Sequence, residues 1–289
     1  MIEKKDIKGT LIPIGGNEDK GAKTSEMHTL DFVEDGILSH VVKESGGLDS
    51  LIVVIPTASS IPDEVGENYM NAFRKLGCEN VKVLKLTKRE QADDPEFLKW
   101  VEKADCVMFS GGNQSKIVDK IGQTKMHEIL QQRYLHEDFV IAGTSAGAMA
   151  MSTEMIAGGT GTDAFFKGAV DMRKGMGFFP ELIIDSHFIQ RGRFGRLAEA
   201  VATFPKLIGV GLAEDTAIVI KKCNDFKIIG SGMVIIFDPS QLTHNARELL
   251  AEGTPMSMSN LTVHVLSNSD LFYVDERRVK VLPIHAPFE

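Results

Sequence analysis

The sequence predicts an α/β protein: a three-layer sandwich built on a mainly parallel sheet, followed by a small β-rich C-terminal extension. Two observations carry this reading. Short apolar runs ending in glycine or polar turns recur through the first half of the chain, and segments of helical periodicity lie between them. That alternation implies right-handed crossovers and a parallel sheet covered on both faces. A third observation bounds the size: 289 residues with 43% hydrophobic content suffice for one large buried core.

Taken in order, the expected strands of the first half are residues 10–14, 51–55, 81–86, 106–109 and 139–142. The helices between them are expected at 25–43, 64–76, 95–103 and 114–135. Beyond residue 145 the apolar runs 182–184, 207–212, 216–220, 227–229 and 233–237 crowd together with fewer helical inserts, so antiparallel pairing is expected there. The last strands, 261–266, 271–274 and 279–282, are joined by Asn and Asp turns. Without an internal repeat or a Pro/Ser-rich linker, residues 1–289 read as one domain, with a core over about 9–240 and the extension over 241–289.

Composition excludes several function classes. A net charge of −8 with no long Lys/Arg cluster argues against nucleic acid as a partner. No apolar h-region follows the charges of the first residues, and no run approaches the roughly 18 apolar residues of a membrane span, so a cytoplasmic protein with no membrane contact is expected. Cys78, Cys106 and Cys223 lack metal-like spacing and read as reduced thiols.

The chemistry begins at Gly143-Thr144-Ser145-Ala146-Gly147, which follows an apolar strand and precedes a run of small residues. A strand, a Gly-x-Ser-x-Gly turn and a helix start form the context of a nucleophile elbow, with Ser145 lifted above the strand end. The same small residues also serve close strand–helix packing. A second segment favours chemistry: Asp185-Ser186-His187 ends an apolar run and is trailed by Arg191, Arg193 and Arg196, a poor way to build a core. His187 suits a general base for Ser145. The orienting acid is expected at Asp163, which lies between elbow and histidine, with Asp185 and Glu214-Asp215 as rivals. Two glycine-rich strand ends, Gly15-Gly16 and Gly111-Gly112, place loops where ligands bind in open α/β folds, and the N–H groups of Gly112 and Ala146 are candidate oxyanion donors.

Together, Gly15-Gly16, Ser110-Gly111-Gly112-Asn113-Gln114, Gly143-Thr144-Ser145-Ala146-Gly147, Asp185-Ser186-His187-Phe188 with the three arginines, and Glu214-Asp215-Thr216-Ala217 resemble the cyanophycinases. These stand with the peptidase E-like serine peptidases on a flavodoxin-like fold similar to that of class I glutamine amidotransferases. The resemblance implies hydrolysis of cyanophycin, a poly-aspartate with arginine on its β-carboxylates, or of a related β-aspartyl peptide. It implies β-Asp-Arg products, a Ser, acid, His triad without metal or cofactor, and a homodimer. It makes Ser145 the nucleophile and His187 the base, and sets Asp163 where the family has a glutamate. It also sets Gln114, Asp185, Ser186, Arg191, Arg193 and Arg196 along the substrate groove. Two positions depart: Ser186 stands where the family has glutamine, and Ala213 where an aspartate is expected, changes that bear on substrate identity rather than on the triad. The alternatives are a peptidase E-like dipeptidase acting after N-terminal aspartate, and a noncatalytic binding module.

Overall fold

The apolar runs of the first half form the strands of a large central sheet. The structure, a computed structural model, describes residues 4–21, 28–159, 165–245 and 249–281. Its elements run β1 (Thr10–Ile14), α1 (Ile37–Glu44), β2 (Ile52–Ile55), α2 (Pro62–Lys75), β3 (Val81–Val83), α3 (Pro95–Lys103), β4 (Cys106–Phe109), α4 (Gln114–Ile121), α5 (Lys125–His136), β5 (Val140–Thr144) and α6 (Ala146–Met149). The chain continues with β6 (Glu154–Gly158), β7 (Asp171–Lys174), β8 (Leu182–Asp185), α7 (Phe194–Thr203), β9 (Ile208–Leu212), β10 (Thr216–Lys221), β11 (Asp225–Gly230) and β12 (Val234–Asp238). Five short strands close it: β13 (His244–Asn245), β14 (Met258–Ser259), β15 (Thr262–Leu266), β16 (Leu271–Tyr273) and β17 (Arg278–Lys280).

The central sheet has nine strands in the order β17-β16-β11-β10-β1-β5-β4-β2-β3. From β1 to β3 every pairing is parallel, and from β1 to β17 every pairing is antiparallel. Successive side chains of a strand point to opposite faces, and the core divides accordingly. Ile52 and Val54 of β2 pack with Leu38 and Val41 of α1 and Tyr69 and Phe73 of α2. Val53 and Ile55 face the other way, into a core shared with Val101 of α3, Ile117 of α4 and Leu130 of α5. On the antiparallel flank that same core joins Ile218, Ile220, Phe226 and Phe272 to Leu182, Ile184, Val210 and Ile236 of a second sheet. This sheet has the order β15-β12-β9-β8. Its far face, with Ile183, Ile235 and Phe237, is covered by Leu197 and Val201 of α7.

Several elements differ from the sequence expectation. The helix expected over 25–43 begins at Ile37: residues 22–27 lie outside the described residues, and Asp31 Oδ1 accepts from the N–H groups of Val33 and Glu34, an Asx turn that competes with helix. The single helix expected over 114–135 is two, divided at Gly122-Gln123, where Gln123 takes φ 60° and Thr124 Oγ1 caps α5 by accepting from the His127 N–H. The hairpin β6–β7 has no counterpart among the expected strands. Of the C-terminal strands, β15 extends the small sheet, β16 and β17 extend the large one, and β13 and β14 pair with each other. Cys78, Cys106 and Cys223 are all free and buried. No helix among the described residues is long and apolar enough to cross a membrane.

Candidate active site

Register places the loops of this site together. Ile14 at the end of β1 is level with Thr144 of β5 and, antiparallel, with Ala217 of β10, while Phe109 of β4 is level with Gly143. The segments after β1, β4 and β5 and before β10 therefore emerge at one sheet edge, as expected for ligand sites of open α/β sheets.

At that edge Ser145 takes φ 50° and ψ −106°, a conformation costly for a residue with a Cβ, and its N–H donates to Ile14 O at 2.8 Å. The elbow closes tightly on both sides. A Cβ on Gly143 would lie 2.6 Å from the Gly147 backbone, and one on Gly147 would lie 2.6 Å from Phe109 O. The N–H groups of Gly112 and Ala146 are taken by no hydrogen bond among the described residues. They flank the nucleophile turn, where a developing anion would need donors.

His187 follows β8 and also has positive φ, 46°. Its N–H donates to Gly15 O at 2.8 Å, and its neighbour Phe188 is buried against Phe194 and Phe237, which anchors the turn. Nε2 of His187 lies 2.9 Å from Ser145 Oγ, and Nδ1 lies 2.6 Å from Glu214 Oε1. The other Glu214 oxygen accepts from Asn17 Nδ2 at 3.1 Å, and the Glu214 N–H donates to Gln190 Oε1 at 3.2 Å. Burial lowers the imidazole pKa below its ordinary value; the Glu214 hydrogen bond opposes this, and Arg191 and Arg193 reinforce it. The ring is thus held neutral and able to accept a proton near neutral pH.

The expected acid, Asp163, lies outside the described residues, and the Nδ1 partner in the structure is Glu214, one of the rivals weighed from sequence. The expectation that Asp185 lines a groove is corrected. Its side chain is fully buried, and its oxygens accept from Arg193 Nη1 at 3.0 Å, from Arg196 Nε at 2.9 Å and from the Ser186 N–H at 2.9 Å, so the carboxylate is turned into the protein rather than into a groove. Arg193 also donates to Ser186 O and Arg196 to Gly159 O. Arg191 is exposed and makes no ion pair among the described residues. Ser186 is buried with its Oγ 3.4 Å from that of Ser145, and Gln114 Nε2 is tied to Ile156 O at 2.8 Å.

Two cavities meet at Ser145. The larger, about 650 Å³, is lined by Glu18, Lys20, Asn68 and Tyr69 along with His187 and Glu214. The smaller, about 250 Å³, is lined by Gln114, Ser186, Arg193 and Arg196. Arg191 and Gly112 border both. Sequence reasoning passed over Asn17, Glu18 and Gln190. The only sequence signal was their place in or beside loops already singled out, the Gly15-Gly16 strand end and the run after His187. No group of three or more His, Cys, Asp or Glu among the described residues is arranged to hold a metal ion.

Comparison with known proteins places the chain in a family. The chain is 35% identical over 272 residues to the cyanophycinase of Trichormus variabilis, covering 94% of this chain and 88% of that protein. It is 33% identical to the cyanophycinase of Geminocystis herdmanii, covering 93% and 95% respectively. Among solved structures, a peptidase from an acI-B1 actinobacterium shares the fold, with a TM-score of 0.62 at 22% identity over 91% of this chain and 98% of that one. The sequence model of Peptidase family S51 matches residues 21–228, so the chain belongs to that family and is a serine-type peptidase.

Proposed function

We propose that the protein is a cyanophycinase-like exopeptidase that hydrolyses cyanophycin to β-Asp-Arg dipeptides through an acyl-enzyme, with Ser145 as nucleophile, His187 as base and Glu214 as the orienting acid. The observation that carries the reading is the unbroken hydrogen-bonded run from Ser145 Oγ through both nitrogens of His187 to Glu214, opening where two polar cavities meet. Similarity to cyanophycinases along nearly the whole chain supports the substrate.

In this mechanism neutral His187 removes the Ser145 proton as Oγ attacks the backbone carbonyl of an aspartyl residue. The carbonyl oxygen becomes an anion and accepts from the N–H groups of Gly112 and Ala146. Glu214 accepts from Nδ1–H, which fixes the tautomer and stabilises the imidazolium. His187 then gives its proton to the leaving amine as the peptide bond breaks, leaving an ester on Ser145. A water, deprotonated by the same imidazole, attacks that ester, and the imidazolium gives the proton to Oγ as the ester bond breaks. Arg191, at the border of both cavities and without an ion pair among the described residues, suits the free carboxylate that each β-linked arginine of cyanophycin carries, because guanidinium and carboxylate match in bidentate geometry. Arg193 and Arg196 form a fixed cationic wall, neutralised in part by Asp185.

The test is to incubate the protein separately with purified cyanophycin, poly-aspartate and α-Asp dipeptides and to identify the products by mass. Release of β-Asp-Arg from cyanophycin is expected. Cleavage of the α-Asp dipeptides alone would assign the activity to a peptidase E-like dipeptidase instead.

A further inference from the structure

The end of β1 and the loop that follows it touch every member of the proposed catalytic run. Ile14 O holds the Ser145 N–H and Gly15 O holds the His187 N–H, while Asn17 Nδ2 donates to Glu214. The next residue, Glu18, has no place in the reaction described above, yet its carboxylate is only 3% exposed. Oε2 accepts from Thr144 Oγ1 at 2.6 Å, and Oε1 accepts from Lys20 Nζ at 2.8 Å and from the Tyr69 hydroxyl. Lys20 Nζ also sits 5.0 Å from the centre of the Tyr69 ring.

A buried carboxylate is an expensive way to fill space, since apolar side chains of similar volume do so at no desolvation cost. This one is placed against the residue that immediately precedes Ser145, whose positive φ must be imposed by its surroundings. Burial by itself would raise the Glu18 pKa, but the charge of Lys20 and the donated hydrogen bonds outweigh it and leave the group below the ordinary carboxylate value. Tyr69, raised far above the ordinary phenol value by burial and by Glu18, stays a donor.

We propose that Glu18 is a positioning residue for the nucleophile, acting through Thr144: the buried carboxylate grips the Thr144 hydroxyl and so fixes the strained turn that aims Ser145 Oγ at His187. Lys20 and Tyr69 keep the carboxylate ionised and immobile. The inference rests on Ser145 being the nucleophile, and it adds a device that sets kcat through the backbone of the nucleophile turn.

The test compares T144V, which keeps shape and removes the donor, with T144S, which keeps the donor. The readouts are kcat and KM on cyanophycin, the rate of fluorophosphonate attachment to Ser145, and the unfolding midpoint. Because misplacement of a reacting group by about 1 Å costs up to about 100-fold, T144V is expected to lose at least about tenfold in kcat and in labelling rate with KM changed less than about twofold. T144S is expected to recover both rates. Folded T144V with wild-type kcat, or T144S as impaired as T144V, would overturn the proposal; should T144V not fold, E18Q is read by the same rates. An S145A variant that remains active on cyanophycin would instead overturn the nucleophile reading.

Discussion

Glu214→Gln is the substitution that separates a charge partner from a mere spacer. Glu214 faces two donors, His187 through one oxygen and Asn17 through the other. Glutamine has one oxygen, so it either leaves Asn17 Nδ2 facing an NH2 group or turns that group toward Nδ1 and stabilises the wrong imidazole tautomer. The pair is mostly shielded, with side chains 13% and 15% exposed. At an effective dielectric constant of about 20, unit charges about 4 Å apart attract by about 4 kcal/mol. Since about 1.4 kcal/mol is tenfold in rate, loss of this stabilisation of the imidazolium is expected to lower kcat about 10³-fold. Tautomer inversion brings the loss toward about 10⁴-fold. The assay is dipeptide release from cyanophycin, with circular dichroism to confirm folding, and D163N measured alongside. A folded E214Q variant within about tenfold of wild type, with D163N losing about 10³-fold, would refute the reasoning and return the acid to Asp163.

Three further outcomes are expected. Because burial, reinforced by Arg191 and Arg193 and opposed by Glu214, lowers the His187 pKa, activity falls as pH drops through that lowered value; the acid limb of kcat/KM should lie below 6.5, and R191Q should move its midpoint upward. A downward shift would contradict the assigned electrostatics. Gly16→Ala places a Cβ 2.4 Å from His187 Cε1 at φ 109°, so kcat should fall at least about tenfold through displacement of the ring; unchanged kinetics would show that the loop does not set the imidazole. Asp185→Asn leaves buried Arg196 and half-buried Arg193 without their counter-ion, and about 3–5 kcal/mol of stability should be lost in urea unfolding; a loss under about 1 kcal/mol would mean that the guanidinium groups find solvent.

The parallel half of the fold was legible because its inner strands are fully buried apolar runs, as in β2 and β4, where composition and length alone distinguish strand from loop. Helix ends were less legible, since they turn on single side chains: Thr124 restarts a helix that the apolar period runs through, and Asp31 holds a turn that periodicity reads as helix. At the site, Ser145 and His187 stood out because a Gly-x-Ser-x-Gly turn and a histidine among arginines are conspicuous locally. The partner of Nδ1 was not, because it depends on β10 lying beside β1, a long-range pairing that brings Glu214 to Asn17 across 197 residues of sequence. Chain order pointed to an acid between nucleophile and base, whereas in the structure the carboxylate on Nδ1 follows both. Asp185 shows the converse limit. Its neighbours in sequence suggest a charged groove, but a charge at the end of a strand says nothing of burial until the helix that covers it, here α7 with Arg196, is in place.

The most direct test of the account is peptide mapping by mass spectrometry after a fluorophosphonate has stopped turnover of cyanophycin by the wild-type protein. The account requires the phosphonyl adduct on Ser145, formed in step with loss of activity and absent from S145A. Complete loss of activity with the adduct elsewhere, or undiminished cyanophycin cleavage by S145A, would contradict it.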